Sequence, residues 1–330
     1  MQQEQVQRDR LVADRAPMVS IVVAAYNAAP FIAETVGSVF KQTFTDYELI
    51  IVNDGSKDTE ELELALQPDL ERIIYLKQEN QGSGAARNRG LRTARGQYIA
   101  FLDADDVWLP TYLEEQIRFM QSGNYDLVYA DAVLFGDSPL SGRTYMETAP
   151  SRGRVTFQSL IRGQCNVITS GVVARKELIF EVGLFDEALR NAQDFDLWVR
   201  LIRRGARASY QRKVLLRYRY HGGSLSGDAA NRVARELRVL DKIESCYKLT
   251  PDEREEVAQA KEKIRANLEL ERGKLYLSQS KFTEAHEAFK KANRTLKSWK
   301  LKAVILSLNI APRLLLRVAG RRLPSGHAGD

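Results

Sequence analysis

The chain has 330 residues, 44% of them hydrophobic, and a net charge of +6, which is room for one large α/β domain plus an appendage. Its two cysteines, Cys165 and Cys246, lie far apart without a Cys-x-x-Cys spacing or paired histidines, so neither a disulfide framework nor a zinc site is indicated and a reducing cytoplasm is the default compartment. The charge is uneven, with ten Lys or Arg against the single acid Asp330 from Ala288 onward, a pattern that suits a basic tail docking on a surface and argues against nucleic acid bound along the protein.

Residues 1–17 read as a polar, disordered leader closed by Pro17, without the apolar core of a signal peptide. No stretch reaches the roughly 18 uninterrupted apolar residues of a spanning helix. Residues 19–25 form a nearly continuous apolar run, the signature of a central parallel strand, and Pro30 opens a helix to about residue 41. A second strand is expected at 48–52, ending in the turn Asn53-Asp54-Gly55-Ser56, followed by a helix at 58–66 and a third strand at 72–76. Residues 80–90 read as a flexible loop running into a helix. Gly82-Ser83-Gly84 is not a dinucleotide fingerprint, because Arg87 stands where the third glycine belongs. A buried strand at 98–102 then ends in three carboxylates, Asp103, Asp105 and Asp106.

Beyond the carboxylates, a helix is expected at 110–121, a strand at 126–130, a Gly, Ser, Pro and Arg-rich loop at 136–155, a helix at 157–162, a strand at 169–174 and a helix at 176–182. Asp194 opens an amphipathic helix at 195–204 with Leu197, Trp198, Leu201 and Ile202 on one face. A strand at 214–220 leads into a loop from His221 to Ser226. Alternating strands and helices of this kind predict a doubly wound, mostly parallel sheet. From about residue 228 the texture becomes charged helix, at 231–247, 251–279 and 281–296. Gly273, Tyr276, Phe282, Ala285, Phe289 and Ala292 resemble one tetratricopeptide-type hairpin, although an ordinary helical hairpin reads equally from one copy. The expected organisation is therefore a leader at 1–17, a catalytic domain at 18–227, a helical extension at 228–296 and a basic amphipathic tail at 297–330. In that tail Trp299, Leu301, Val304, Ile305, Leu308 and Ile310 alternate with Lys300, Lys302, Arg313, Arg317, Arg321 and Arg322, and Pro312 kinks the run. This reads as a membrane-surface anchor, or as a helix packed on its own protein.

Clustered carboxylates at the carboxyl end of a parallel strand lie where α/β sheets bind ligands. Two such charges about 4 Å apart repel by roughly 4 kcal/mol at an effective dielectric of about 20, so they need full solvation or a cation. The calcium-loop pattern fails, since Trp108 and Glu114 occupy the positions of its glycine and glutamate. Mg2+ or Mn2+ carried on a phosphate substrate fits the hard oxygen donors.

Taken together, Ala25-Tyr26-Asn27, Asn53-Asp54-Gly55-Ser56, the run from Gly84 to Gly90, Phe101 to Asp106, and Gln193-Asp194-Phe195-Asp196-Leu197-Trp198 resemble, in order and spacing, family 2 of the inverting nucleotide-sugar glycosyltransferases. The resemblance covers about residues 18–225. It implies a GT-A fold, a Rossmann-like central sheet flanked by helices, here with an α-helical C-terminal extension. It implies a nucleotide-diphosphate sugar donor, UDP-linked first and dTDP-linked next, and a glycan or lipid-linked acceptor at the cytoplasmic face of the membrane. Carried over, Ala24, Tyr26 and Asp54 hold the nucleobase, Asn80, Gly84 and Arg87 lie along the nucleotide, and Asp103 meets ribose or metal. Asp105 binds the metal, with His221 matching more loosely beside it, and Asp194 is the base. Gln193, where the family usually has a second acid, and Trp198 are expected on the acceptor side, and Arg219 and Ser224, with His221, in the later loop that closes on the diphosphate. Two other readings stand beside this one: an inactive GT-A domain acting as a scaffold, and a nucleotidyltransferase, which the absence of a basic glycine-rich loop after the first strand disfavours.

Overall fold

The computed structural model describes residues 15–189, 192–222 and 229–310. The expected leader up to residue 14, Ser224 and the loop around it, Pro312 and the arginines after it lie outside the described residues. The chain divides into two compact units, Met1–Gly227 and Asp228–Asp330.

In the first unit, β1 (Val19–Ala25), β2 (Tyr47–Asp54), β3 (Ile74–Gln78) and β4 (Tyr98–Asp103) are parallel in the order β3-β2-β1-β4. Their apolar runs are continuous because both faces are covered: Val19, Ile21, Val23, Leu49, Ile51, Ala100 and Leu102 are buried in one cluster with Ile32, Val36 and Val39. The last three belong to α1 (Ala29–Phe40), the crossover between β1 and β2. α2 (Thr59–Leu66) and α3 (Ser83–Thr93) make the next two crossovers. Each strand therefore delivers its carboxyl end to the same edge, and the register sets Ala24 beside Asp103, Ala25 beside Asn53 and Asp54 beside Gln78. Gly55 is required at that edge. Its φ is +65°, and a Cβ there would lie 2.6 Å from the Asn80 backbone nitrogen.

The remaining strands turn the sheet mixed. After β5 (Val107–Trp108) and α4 (Tyr112–Ser122) come β6 (Leu127–Gly136), α5 (Tyr145–Thr148), α6 (Phe157–Ile161), β7 (Val172–Arg175), α7 (Lys176–Glu181), α8 (Gln193–Arg203) and β8 (Ala208–Tyr220). β7 is antiparallel to both β4 and β6, β8 is parallel to β6, and β5 closes the order β3-β2-β1-β4-β7-β6-β8-β5. Two strands are longer than the sequence pattern predicts. β6 runs to Gly136 and β8 starts at Ala208, paired through a register shift next to Asp131, and the polar Gln211, Arg212 and Lys213 hide the start of β8 from any apolar template. β3 begins two residues later than expected because the chain after α2 continues as a 3-10 turn, Gln67–Arg72. Within the expected loop at 136–155 the chain folds back, with Gly142 donating to the Leu134 carbonyl at 2.8 Å and Thr144 and Glu147 forming a capping box for α5.

The second unit consists of α9 (Ala229–Cys246), α10 (Pro251–Ser278), α11 (Phe282–Leu296) and α12 (Trp299–Ile310) among the described residues. Thr250 caps α10 reciprocally with Glu253, and Pro251 sits at its first turn. Gly273 lets α10 and α11 approach closely, since a Cβ there would stand 2.5 Å from the Phe289 ring. Leu277, Ala285, Phe289 and Ala292 bury a small core that also takes Leu301 and Leu308 from α12. The described part of the tail thus packs one face on its own hairpin.

Candidate active site

The carboxyl edge of the parallel strands gathers most of the expected residues. Tyr26, just past β1, is 46% exposed and presents its ring to solvent, a surface that a flat base can stack on. Asn27 beside it takes a φ of +52°. It is stitched to the next turn: its side-chain oxygen accepts from Lys57 N–H at 2.9 Å, and its own N–H donates to Ser56 at 3.1 Å.

Asp54 is buried and spends most of its acceptor capacity on its own loop. Oδ1 accepts from Gln78 Nε2 at 2.8 Å and Gln81 N–H at 3.0 Å, and Oδ2 accepts from Gly82 N–H at 2.8 Å. A carboxylate has about four lone-pair sites, so one direction remains for a ligand donor. The loop so held carries the exposed Asn80 and leads into α3. As expected the loop runs into helix, which begins at Ser83, with Gly84 buried in its first turn against Gln193: a Cβ at Gly84 would meet Gln193 Cγ at 3.2 Å.

Arg87, expected along the nucleotide, points instead into the sheet edge. It is buried over the Phe185 ring and donates to Asp103 Oδ1 at 2.6 Å. Asp103 is therefore neutralised from α3, and its N–H donates to Ser170 Oγ at 3.1 Å. Asp105 faces the other way, its Oδ2 3.0 Å from His221 Nε2, and the His221 ring packs against Phe31 at a 37° tilt with 4.6 Å between ring centroids. Arg219 locks this corner: Nε donates to the Asp105 carbonyl at 2.6 Å, its N–H donates to Asp106 at 2.8 Å, its guanidinium lies over Phe31 and Phe135, and Nη2 pairs with Glu34 at 2.5 Å. So engaged, Arg219, expected with the loop that closes on the diphosphate, braces the acidic corner from the end of β8.

Burial, and the neighbouring charge of Asp103, push the Asp105 carboxyl above its ordinary range, with His221 opposing the shift. Asp106 is wholly buried. Burial first, then the charges of Asp105 and Asp103, push it well up. A carboxyl raised in the folded state contributes stability that is fully present below its unfolded pKa and is lost as pH rises through the folded value. In chelator-treated protein, wild type is accordingly expected to gain stability relative to Asp106→Asn as pH is lowered from about 7.5 to about 5.5, read by urea denaturation. A gap that does not change with pH would show that Asp106 is not the titrating group.

Asp194 lies in the first turn of α8, where the N-cap is Ala192 in left-handed geometry with φ +63°. Asp194 is thus not the cap of its helix. Its Oδ2 accepts from Thr169 Oγ1 at 2.9 Å and its Oδ1 from Phe195 N–H at 2.8 Å. Thr169 and Ser170 belong to one 3-10 turn, Thr169–Gly171. Adjacent residues of one turn therefore hold Asp194 and Asp103, which brings α8 to the end of β4. Gln193 provides a second tie, donating through Nε2 to Ser83 Oγ at 2.6 Å at the start of α3. Trp198 is not on the acceptor side: it is 2% exposed and packs its ring against Phe101 and Phe185. The apolar stripe of α8 turns it into the core. Thr169, Ser170, Ser83, Phe31 and Glu34 shape the site without any sequence signal beyond their neighbourhood, since none carries a motif of its own.

A metal is tested by the donors present. Among the described residues no group of three or more His, Cys, Asp and Glu is arranged to hold a metal ion. Asp105 and His221 supply one hard oxygen and one imidazole nitrogen side by side, a set that fits a cation completing its shell with phosphate oxygens and water.

A family model described as "Glycosyl transferase family 2" matches residues 20–181. The chain is 30% identical, over 68% of its length and 86% of the relative's, to the Escherichia coli UDP-Glc:alpha-D-GlcNAc-diphosphoundecaprenol beta-1,3-glucosyltransferase WfaP. Some curated relatives are longer, and the chain spans 36% of the length of one of them. In fold it is similar to Staphylococcus aureus TarS 1-349 in complex with UDP, with a TM-score of 0.58, 18% identity and coverage of 92% and 91% of the two chains. It is likewise similar to the mannosyltransferase PcManGT from Pyrobaculum calidifontis in complex with GDP-Man and Mn2+, with a TM-score of 0.60, 16% identity and coverage of 95% and 90%.

Proposed function

The chain belongs to glycosyl transferase family 2 and has the GT-A fold, and on that footing we propose that it transfers a sugar from a nucleoside diphosphate, UDP first and dTDP next, to a lipid-linked glycan with inversion at the anomeric carbon. The acceptor class follows the relative WfaP, whose name specifies a diphosphoundecaprenol-linked substrate. The observation that carries the reading is the joint anchoring of Asp194 and Asp103 by Thr169 and Ser170, which sets a half-buried carboxylate beside the acidic strand end.

In this reading Tyr26 stacks on the base and the loop held by Asp54 fixes the nucleotide. Asp105 and His221 would hold Mg2+ or Mn2+, which when bound would supply positive charge against the diphosphate oxygens. Arg87 keeps Asp103 oriented through its 2.6 Å ion pair. Asp194 takes the proton from the acceptor hydroxyl as it attacks the face opposite the leaving group, and the hydrogen bond from Thr169 fixes which carboxylate oxygen is aimed at that hydroxyl. A single displacement with one base gives inversion. No helix among the described residues is long and apolar enough to cross a membrane, and peripheral attachment at the cytoplasmic face suits a lipid-linked acceptor.

Calorimetric titration of the protein with UDP, dTDP, GDP and ADP, with and without Mn2+, tests the donor site. Metal-dependent binding of UDP or dTDP, at least about tenfold tighter than of ADP, is the expected result. Binding of none of the four would move the scaffold reading ahead.

A further inference from the structure

α12 is apolar on two opposite faces. At 100° per residue, Leu301, Val304, Ile305 and Leu308 fall on one side, and these are the residues packed on the α10–α11 core. Trp299, Ala303, Leu306 and Ile310, spaced four, three and four residues apart, fall on the other. That side is open: Trp299 is 74% exposed, Leu306 60% and Ile310 74%. A helix that only covered its hairpin would carry polar residues there. Lys300 and Lys302 flank the stripe, both exposed, with the Lys300 ammonium 5.9 Å from the Trp299 ring. No acid occurs between Ala288 and Gly329, and the sequence beyond the described residues continues with Leu314, Leu315 and Leu316 among Arg313, Arg317, Arg321 and Arg322.

We propose that the outer face of α12 is a docking surface for an anionic lipid monolayer, into which Trp299, Leu306 and Ile310 insert while Lys300 and Lys302 meet the headgroups. Tryptophan and lysine at the rim of an exposed aliphatic stripe match an interface that is apolar below and negative above. A protein partner would need neither the one-signed charge nor the single row of apolar side chains. The proposal deepens the peripheral-membrane part of the function above. It rests on that part alone, because lipid binding is measured without donor or acceptor and stands or falls independently of the chemistry.

The natural reporter is already in place. Of the three tryptophans, Trp108 and Trp198 are each 2% exposed and only Trp299 faces water. Full-length protein is mixed with vesicles of phosphatidylcholine alone, or of phosphatidylcholine with about one third phosphatidylglycerol, and followed by Trp emission, iodide quenching and co-sedimentation. The expected result is a blue shift and protection from quenching with the anionic vesicles. Binding should weaken at least about tenfold in Leu306→Glu/Ile310→Glu and by about fivefold for each lysine lost in Lys300→Ala/Lys302→Ala, with UDP binding unchanged in both. Three results overturn the proposal. One is the absence of any shift with anionic vesicles. The second is wild-type vesicle binding by Leu306→Glu/Ile310→Glu, which assigns lipid contact to residues after 310. The third is a concentration-dependent shift without vesicles that this variant abolishes, which assigns the face to a second copy of the chain.

Discussion

Asp194→Asn is expected to lower turnover by about 10²–10⁴ while leaving UDP affinity and melting temperature close to wild type. The substitution keeps the size of the side chain: the amide oxygen can accept from Phe195 N–H while the amide nitrogen donates to the Thr169 hydroxyl, which can accept as well as donate, so the position of the group survives. What it removes is the capacity to take a proton. The acceptor hydroxyl then attacks without a base, and the loss appears in kcat more than in the donor KM, because Asp194 belongs to the transition state and not to the nucleotide. Thr169→Val tests the same arrangement one step out. It leaves the base but frees its orientation, so a smaller loss of about tenfold is expected. Steady-state kinetics with a lipid-linked acceptor, beside calorimetry with UDP, separates these outcomes. Full activity in a folded Asp194→Asn protein would remove Asp194 from the chemistry.

Asp105→Asn is expected to abolish the Mn2+-dependent part of UDP binding and to reduce turnover by about 10²–10³. Its effect on the protein without ligand should run the other way. The wild-type carboxyl is pushed up by burial and by the charge of Asp103, so a neutral side chain relieves a cost instead of leaving a hole, and the unliganded protein should melt at the same temperature or slightly higher. A ligand at about a hundred times its Kd stabilises the native state by about 2.7 kcal/mol. The contrast is therefore legible in one thermal-shift experiment: UDP with Mn2+ raises the wild-type melting temperature by several degrees, and the variant loses that increment without losing its baseline. A variant that melts early without ligand would show a structural role instead.

The parts of this molecule that the sequence disclosed are those written in short-range patterns. β1 spans residues 19–25 as expected because its apolar run opens just after Pro17 and ends in Tyr26-Asn27, and the carboxylates at the end of β4 are visible because acids rarely follow a fully buried strand. β8 was half hidden because Gln211, Arg212 and Lys213 occupy positions in the strand without serving the core. Longer-range partnerships left no trace. Nothing local says that Arg87 would pair with Asp103, sixteen positions on, or that Thr169 would reach Asp194 across twenty-five. Trp198 carries two expectations, an acceptor-side place from the family resemblance and an apolar-face place with Leu197 and Leu201 from helix phase, and its burial at 2% exposure follows the phase.

The order of the sheet also governs how copies of this protein meet. Its two ends are β3 and β5. β3 is five residues long and ends in Lys77 and Gln78, with Lys77 exposed and paired to Glu63 at 2.6 Å; β5 has only two residues. A short rim with a charged side chain and a rim too brief to template a ladder both discourage strand addition from another molecule. Of the long strands, β6 is kept inside between β7 and β8, while β8, paired to β5 only at Leu216 and Arg217, carries the exposed Arg212 and Lys213 along the rest of its length, charges that also oppose strand addition. Crowding this protein at high concentration should therefore not nucleate intermolecular β-structure from the native state, and an amyloid-type dye should stay dark until the fold itself is lost.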